Sequence, residues 1–389
     1  MKFMFFSEGE TQVGESYQTR YKELVDQVIH AESWGFDSFG VSEQHYAIGG
    51  ISTSCPEVLF GYLFSLTKTL RFAHAITLMP KNINHALRIA SRTAVQDILS
   101  NGRIELGIGR GNTTLALRAF GVDLEQSRSE VHEGIQVLKK AFTEDPFMFY
   151  GEHYQIPPRS LIPKPIQTPH PPMYMAATSP ESHTMAAGLG IGVFSWSNYM
   201  GYEPLAESIA SYNTAADAYE ADGNYIERRV GALLQAYCAE TDEAAREEAG
   251  EGNVKWLQIA LDGYPRLAKV AKSYAYMAKV QEVSKQATNL DYFQESSGSA
   301  VFGSPESCIR SIEKLRDCGV DTLALRIDSV PHDKIMKSIE MFGRYVIPHF
   351  KSRQNFSRPP EDVMADIREM REEAKQSGVY VQPGQGSAG

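Results

Sequence analysis

The chain has 389 residues, a formal net charge of −10 at pH 7, 42% hydrophobic residues and 22% charged residues. This is the composition of an ordinary globular protein, and the length is enough for a large core. The negative charge argues against nucleic acid or an anionic membrane as the main partner, although a local basic pocket for a small anion remains open. The four cysteines include no CxxC spacing, which disfavours a zinc ribbon, a thioredoxin-type site and a disulfide framework.

The N-terminal segment predicts a buried strand rather than a signal peptide. Its apolar run ends after a few residues, at Ser7 and Glu8, and is too short for a secretory signal. The longest uncharged stretch, 182–202, contains four glycines and would be a poor membrane span. We therefore expect a soluble, cytoplasmic protein that has no membrane partner.

Short apolar runs alternate with longer helical patterns, which predicts repeated βα units and a parallel sheet. The predicted strands are 2–7, 37–42, 71–78, 103–108, 172–176, 191–196, 230–238 and 321–327. The predicted helices are about 18–34, 56–68, 85–100, 128–142, 180–188, 203–222, 241–285 with interruptions, 304–318 and 332–346. The pattern favours a (β/α)8 TIM barrel over an open doubly wound sheet, because no GxGxxG follows the first strand.

Two stretches do not fit a bare barrel, and a polar tail follows it. Residues 145–172 predict a small hairpin and a proline-rich extended connection. Residues 245–300 predict a long helical insertion, a candidate lid over the barrel mouth. We predict one domain over 1–350 and a C-terminal extension over 351–389, partly mobile and carrying one exposed helix at 361–376.

In a barrel, function sits on the loops after the strands, so the polar residues there are candidates. In 107–111, three glycines surround Arg110, which would let the backbone approach a ligand while the guanidinium grips a phosphate. A tight turn with a solvated arginine explains that spacing equally well. Residues 178–182 begin a helix whose N–H groups can face an anion, although ordinary capping also accounts for them. Taken alone, Arg128 is interpreted as a surface charge.

Two histidines follow predicted strands and could act as bases or hydrogen-bond donors near neutral pH: His45 and His85. A satisfied structural histidine is the alternative reading for each. The sequence contains no HxxxH, no GxSxG and no cluster of carboxylates. Metal-dependent hydrolysis and serine catalysis therefore have no support, and we predict no metal site.

Several segments together resemble the bacterial luciferase-like family of flavin-dependent monooxygenases. They lie in order over about residues 1–350, at 31–46, 69–76, 102–111, 120–128, 195–196 and 303–306. The resemblance is closest to FMN-using members related to the luciferase α subunit. It implies a (β/α)8 barrel that binds FMN as FMNH2, supplied by a separate NAD(P)H:flavin reductase.

The resemblance also implies site residues. Those expected to bind the cofactor, through its phosphate or its isoalloxazine ring, are Glu43, Ala75, Ile76, Gly109, Arg110, Arg128, Thr178, Ser179 and Ser182. The expected catalytic residues are His45, which matches the family's active-site histidine, and His85, which matches a second histidine near the substrate. The aromatic residues expected to line a hydrophobic substrate cavity are Phe6, Tyr46, Phe120, Trp196 and Tyr199.

The function implied by the resemblance is a two-component, FMNH2-dependent monooxygenase. It would act with O2 through a flavin C4a-(hydro)peroxide on a hydrophobic organic substrate such as an aldehyde or ketone, with His45 managing the proton. The alternatives are an F420-dependent dehydrogenase of the same fold, a non-catalytic flavin-binding homologue, and a phosphate-ligand barrel enzyme of another lineage. The family also implies a homodimer or a dimer of related subunits.

Overall fold

The computed structural model describes residues 1–47, 50–279, 289, 292 and 298–355. Among these residues, eight parallel strands close into a barrel with helices between them, which confirms the expected (β/α)8 fold. The strands follow one another around the ring as β1 (Lys2–Ser7), β2 (Ser38–Val41), β3 (Arg71–Leu78), β4 (Ile104–Gly109), β7 (Met173–Ala177), β8 (Gly192–Ser195), β9 (Val230–Cys238) and β11 (Thr322–Arg326). The ring closes because β11 pairs with both β9 and β1.

Helices pack around the outside of the barrel, and each of the helices predicted within 1–350 overlaps an observed one. They are α1 (Tyr17–Ser33), α2 (Pro56–Leu63), α3 (Ala86–Leu99), α4 (Thr114–Ala119), α5 (Ser127–Thr143), α6 (Pro180–Gly188), α7 (Tyr202–Ala221), α8 (Asp242–Val270), α9 (Pro305–Asp317), α10 (His332–Met341) and α11 (Ile347–Asn355). The described residues also include short 3-10 turns at Ser197–Met200 and Lys272–Lys279 and a π turn at Phe342–Val346. None of the helices in the described ranges combines the length and the hydropathy that crossing a membrane requires.

The joints between helices and strands follow from local sequence. α1 and α9 are followed by Gly35 and Gly319, whose φ angles of 83° and 101° lie in the left-handed region that glycine adopts without strain. The Ser304 hydroxyl accepts a hydrogen bond from the Ser307 N–H, and Pro305 follows at the first helical position. These signals place the start of α9 where the sequence predicts it.

The barrel interior is apolar in its middle and charged near the N-terminal ends of its strands. The apolar layer consists of Met4, Phe6, Ala73, Tyr174, Phe194, Leu233 and Ala324. Closer to the strand starts, the buried Glu105 carboxylate pairs with Arg71 and Arg229. Burial alone would raise the pKa of Glu105, but the two guanidiniums lower it. This packing fills the lower part of the barrel and leaves space at the C-terminal ends of the strands.

The two predicted insertions are present in part. β5 (Phe147–Tyr150) and β6 (Gln155–Arg159) form the expected antiparallel hairpin within 145–172. The described part of 245–300 contains most of α8 and the 3-10 turn that follows it. It ends at the first residue of β10 (Ala300–Gly303), a short strand that pairs with β9 outside the ring. The remainder of that insertion and the predicted helix at 361–376 lie outside the described residues. α11 runs through the expected domain boundary at residue 350, which stays a prediction.

Candidate active site

A cavity of about 750 Å³ opens at the C-terminal ends of the barrel strands. Its size is in the range of pockets that bind cofactors and small ligands. Most of the expected site residues share its wall: Phe6, Glu43, Ala75, Ile76, Gly109, Arg110, Arg128, Thr178, Ser182 and Trp196. Residues that are far apart in the sequence are thus brought together on one face of the barrel.

One side of this cavity is suited to an anion. Arg110 follows β4, Arg128 lies in the first turn of α5, and both guanidiniums belong to the wall. Between β7 and α6, the Ser179 hydroxyl accepts a hydrogen bond from the Ser182 N–H, and the Ser182 hydroxyl accepts one from the Ser179 N–H. Arg128 and Ser179 also border an adjoining recess. Two cations next to the positive end of a helix dipole favour a bound phosphate.

The segment after α8 reaches over this anion side. The Arg110 guanidinium carbon lies 4.1 Å from the centroid of the Tyr274 ring, and Arg110 donates a hydrogen bond to the Ser273 carbonyl at 3.5 Å. The Tyr274 hydroxyl donates to the Gly111 carbonyl at 3.1 Å. The insertion therefore contributes directly to the cavity, as the lid interpretation requires.

The end of β3 forms another part of the wall. A Cβ atom at Gly109 would lie 2.0 Å from Cδ1 of Ile76, so the glycine lets Ile76 pack across the neighbouring strand. The Ala75–Ile76 peptide bond is cis. Ala75, Ile76 and Gly109 give the cavity an apolar surface beside Arg110.

Glu43 is buried, and its carboxylate is surrounded by donors. It accepts hydrogen bonds from the Leu78 N–H at 3.0 Å, from Asn84 Nδ2 at 2.9 and 3.1 Å, and from His45 Nε2 at 2.8 Å. Burial alone would raise the pKa of Glu43, but these hydrogen bonds, with Arg92 nearby, lower it. Glu43 is thus held as a carboxylate that ties the end of β3 to the loop after β2.

His45 is oriented by that carboxylate. Because Nε2 donates to Glu43, a neutral His45 ring keeps its proton on Nε2 and leaves Nδ1 as an acceptor. The ring packs edge-on against Phe120, with 5.1 Å between centroids. His45 lies beside the wall, between the wall residues Gln44 and Ala47, rather than in it. Its role in proton transfer stays a prediction.

Four other expected site residues lie outside the cavity wall, and their expected roles stay predictions. His85 caps α3: its Nδ1 accepts a hydrogen bond from the Leu87 N–H at 3.2 Å. Its ring centroid is 5.2 Å from that of Tyr154, and partial burial together with Lys81 lowers its pKa. The other three are aromatic residues next to His45 or behind Trp196: Tyr46, Phe120 and Tyr199.

The wall also contains residues that the sequence reasoning did not assign. Glu8 follows β1, and its Oε2 accepts hydrogen bonds from Trp256 Nε1 at 2.9 Å and from Arg326 Nε at 3.1 Å. The position of Glu8 directly after a strand is a signal that could have identified it. Trp256 lies in the insertion, where no sequence pattern marks it as part of the cavity.

One group of metal-ligating residue types lies away from the cavity, at the hairpin. It consists of Glu133, Glu152 and His153. The Glu133 carboxylate already accepts the backbone N–H groups of residues 152, 153 and 154, so the hairpin turn explains its position.

A family model described as luciferase-like monooxygenase matches residues 1–322. The chain belongs to the luciferase-like monooxygenase family. The resemblance inferred from separate segments is thereby confirmed across most of the chain.

Curated relatives include several monooxygenases. The chain is 28% identical over 246 residues to the oxygenase component of flavin-dependent trigonelline monooxygenase from Acinetobacter baylyi, an alignment that covers 61% of this chain and 66% of the relative. It is 26% identical to the FMNH2-dependent dimethylsulfone monooxygenase of Pseudomonas putida, with 86% of this chain and 88% of that enzyme covered.

Solved structures share the fold at lower identity. The monooxygenase RslO1 from Streptomyces bottropensis aligns with a TM-score of 0.73 and 22% identity, covering 90% of this chain and all of that one. The oxygenating constituent of 3,6-diketocamphane monooxygenase from Pseudomonas putida, in complex with FMN, gives 0.70 and 21%, covering 90% and 98%. An F420-dependent secondary alcohol dehydrogenase gives 0.68 and 18%, covering 88% and 97%.

Proposed function

We propose that the protein is the oxygenase component of a two-component, FMNH2-dependent monooxygenase. Family membership and the names of two relatives support this assignment. A separate NAD(P)H:flavin reductase would supply the reduced flavin, because an oxygenase component is one of the two proteins of such a system. The substrate would be a small, hydrophobic organic molecule, such as an aldehyde or ketone, and O2 the co-substrate.

The observation that carries the proposal is the pairing of an anion side and an apolar side in one cavity. Arg110, Arg128 and the start of α6 fit the phosphate of FMN, whose charge they would neutralise. The rest of the wall is largely apolar or aromatic and fits a planar ring and an organic substrate. Its apolar and aromatic members include Phe6, Ala75, Ile76, Met175, Phe194, Trp196, Leu233 and Trp256.

Each side chain then has a definable task. Bound FMNH2 supplies the activation of O2 from which one oxygen atom reaches the substrate. Arg110 and Arg128 bind the phosphate, and the aromatic wall excludes water from the reacting centre. Glu43 holds His45 in the tautomer whose Nδ1 can accept a proton, and a water or the substrate would have to bridge the distance to the cavity.

The test is a comparison of flavin binding and reoxidation. FMNH2 is generated anaerobically, titrated against the protein and then mixed with oxygenated buffer in a stopped-flow instrument. We expect the protein to bind FMNH2 and to make its reoxidation slower and multiphasic compared with free FMNH2. Identical reoxidation with and without protein would contradict an oxygenase function.

The same apparatus separates this proposal from its main alternative. F420 enzymes occur among the fold neighbours, and they transfer hydride without O2. Tight binding of F420, weak binding of FMNH2 and F420 reduction by a secondary alcohol under argon would favour that alternative. Flavin binding without any substrate turnover would instead indicate a non-catalytic homologue.

A further inference from the structure

The charges of the cavity wall are segregated. The arginines of the wall come from one part of the barrel: Arg110 follows β4, Arg118 lies on α4 and Arg128 lies on α5. The carboxylates come from another: Glu8 follows β1 and Glu43 follows β2. In the ring of strands, β1 lies opposite β7, and β11 lies opposite β4. If the phosphate of FMN occupies the arginine side, a second ligand faces Glu8 on the opposite side of the mouth.

Glu8 is only partly satisfied by its protein partners. Its Oε2 receives the two good hydrogen bonds, from Trp256 Nε1 and Arg326 Nε. Its Oε1 has two long contacts, from the Ser42 hydroxyl at 3.3 Å and from Gln44 Nε2 at 3.5 Å. A carboxylate oxygen can accept more and closer donors than these, so Oε1 keeps capacity for a ligand.

Glu8 also belongs to an ionic cluster with an excess of negative charge. Arg326 pairs with Glu8 at 3.1 Å, with Glu10 at 2.6 Å and with Asp328 at 3.8 Å, and Asp328 pairs with Arg20 at 3.1 Å. In the part of the chain that the structure describes, this hydrogen-bonded cluster holds three carboxylates and two guanidiniums. When all are ionised, one negative charge is unbalanced, and Glu43 adds a second carboxylate to the same side of the wall.

The electrostatics of Glu8 agree with this imbalance. Its pKa is raised, first by burial and then by Asp328 and Glu10, against the lowering effect of Arg326. A buried carboxylate in this position gains stability from any added positive charge, whether a proton or a cationic ligand.

Aromatic rings complete the surroundings of Glu8. Trp256 donates to it, and Phe6, Phe194 and Trp196 line the same cavity. The faces of such rings attract organic cations, and their area also suits an apolar body. The Arg326 guanidinium lies 4.2 Å from the centroid of Trp256, so one cation already contacts this ring within the protein.

We propose that the Glu8 side of the cavity binds the positively charged nitrogen of an organic substrate, a protonated or quaternary amine carried on an apolar body. This inference rests on the proposed monooxygenase function and narrows its substrate class. The amine binds Glu8 Oε1 and the aromatic wall, while the apolar body extends towards the flavin side.

A pH dependence follows from the proposal. At low pH, a proton on Glu8 competes with the ligand cation, so the ligand binds better as Glu8 loses its proton and the affinity then levels off. A quaternary ammonium probe has no titration of its own, so the change reports on the protein. The titratable and charged groups that interact with Glu8 are Arg326 and Asp328 at the end of β11, Glu10 beyond β1 and Tyr199 after β8. Glu43, beyond β2, lines the same cavity.

The experiment uses two probes of the same shape. Benzyltrimethylammonium carries the charge, and neopentylbenzene is its neutral isostere. Their binding to the FMN-loaded protein is measured by quenching of tryptophan fluorescence, at several pH values. We expect the cation to bind at least about tenfold more tightly at neutral pH, with an affinity that rises with pH before it levels off, while that of the isostere is flat.

Glu8→Gln should reduce the preference for the cation to about twofold or less and remove its pH dependence. Glu313→Gln makes the same change of charge on α9, outside the cavity wall. This variant should leave the preference for the cation and its pH dependence unchanged. Equal affinity for the two probes in the wild-type protein, or an unchanged preference in Glu8→Gln, would overturn the proposal. The wild-type comparison needs no variant, so it decides the matter even if Glu8→Gln fails to fold. Failure to bind FMN would instead overturn the proposed function, and the probes can then be compared on the flavin-free protein.

Discussion

Arg128 is the residue whose phosphate contact is easiest to isolate, because it faces both the cavity and the recess beside Ser179. Arg128→Ala should weaken FMN binding by about tenfold to a hundredfold, since a charge-assisted hydrogen bond contributes ~1.5–3 kcal/mol. Riboflavin, which lacks the phosphate, should lose less than about threefold. Titrations that follow flavin fluorescence measure both ligands.

Arg118→Ala is the matched control, because Arg118 lies in the same cavity wall, on α4, but does not border the recess beside Ser179. We expect it to weaken FMN binding much less than Arg128→Ala does. Equal losses for FMN and riboflavin in Arg128→Ala would show that Arg128 does not contact the phosphate.

His45 should matter for turnover rather than for flavin affinity. A positioned acid–base group contributes ~10²–10⁴-fold to a rate, so His45→Ala should reduce product formation by about that range. FMN affinity should stay within a few fold, since the anion side lies after β4 and β7. Oxygen uptake should continue and release H2O2 in place of product, which a peroxidase-coupled assay detects.

His85→Ala provides the comparison between the two histidines. The His85 ring caps α3 and packs on Tyr154, so we expect this variant to lose some stability and to keep coupled turnover. Normal coupling in His45→Ala together with uncoupling in His85→Ala would reverse the two assignments.

At the scale of single residues, the sequence identifies site residues that directly follow a strand. Arg110 follows β4 and Thr178 follows β7, where a barrel places its ligands, and both belong to the cavity wall. The role of Glu8 is different, because its partners Trp256 and Arg326 are 248 and 318 residues away in the chain. Contacts of that kind depend on ring closure and on the path of the insertion, and no local spacing reports them.

At the scale of elements, hydrophobic periodicity predicts the long helices and the barrel strands, each of which has a face buried on the sheet or in the ring. It does not predict α4, which has six residues, or β10, which has four. Such segments contain too few turns or alternations for a period to be visible. β10 also forms only because β9 extends beyond its barrel partners and offers a free edge.

Glu125 is one of the groups that hold the segment after α8 at the cavity mouth. Glu125, before α5, accepts the backbone N–H groups of Lys272 at 2.6 Å and Ser273 at 3.1 Å. Glu125→Ala should therefore raise the rate of limited proteolysis within 245–300 several-fold in the flavin-free protein, since the segment would open more often.

FMN together with substrate should slow that cleavage in the wild-type protein, because Arg110 contacts both the anion side and the segment. Glu144→Ala is the control: this exposed carboxylate pairs with Lys140 on α5 and should not alter the cleavage. Cleavage that is insensitive to both ligands and to Glu125→Ala would refute the lid interpretation.

At the scale of the whole molecule, the Glu105 cluster links three parts of the barrel, since Arg71 begins β3, Glu105 lies in β4 and Arg229 precedes β9. Glu105→Gln should lower the free energy of unfolding by about 3 kcal/mol, because it removes the carboxylate shared by the buried Arg229 and the half-buried Arg71. Glu144→Gln, in an exposed pair, should change it by less than ~1 kcal/mol. Urea denaturation measures both.

The same cluster gives a pH dependence. The pKa of Glu105 in the folded protein lies below the ordinary value of about 4.3. The ionised Glu105 therefore makes its full contribution to the free energy of unfolding above pH ~4.3, and this contribution is lost as the pH falls towards the folded pKa. The wild-type protein should therefore lose stability more steeply than Glu105→Gln as the pH falls below about 4.3. Parallel stability curves for the two proteins would exclude this role.

The surface of α2 and α3 offers a place for the expected dimer, which stays a proposal. Val58 and Tyr62 on α2 are 70% and 63% exposed, and Val95 and Leu99 on the neighbouring α3 are 42% and 65% exposed. Apolar residues four apart on two adjacent helices form a continuous stripe, and a second copy of the chain would remove it from water.

If that stripe is the interface, Leu99→Glu should convert the protein from a dimer to a monomer in sedimentation equilibrium, because a buried, unpaired carboxylate is costly at an apolar contact. Tyr225→Glu is the control, since Tyr225 is 55% exposed and precedes β9, which lies opposite β3 in the ring of strands. A Leu99→Glu protein that still sediments as a dimer would exclude this surface. A wild-type protein that sediments as a monomer at micromolar concentration would exclude the dimer itself, and the exposed stripe would then be available to the reductase.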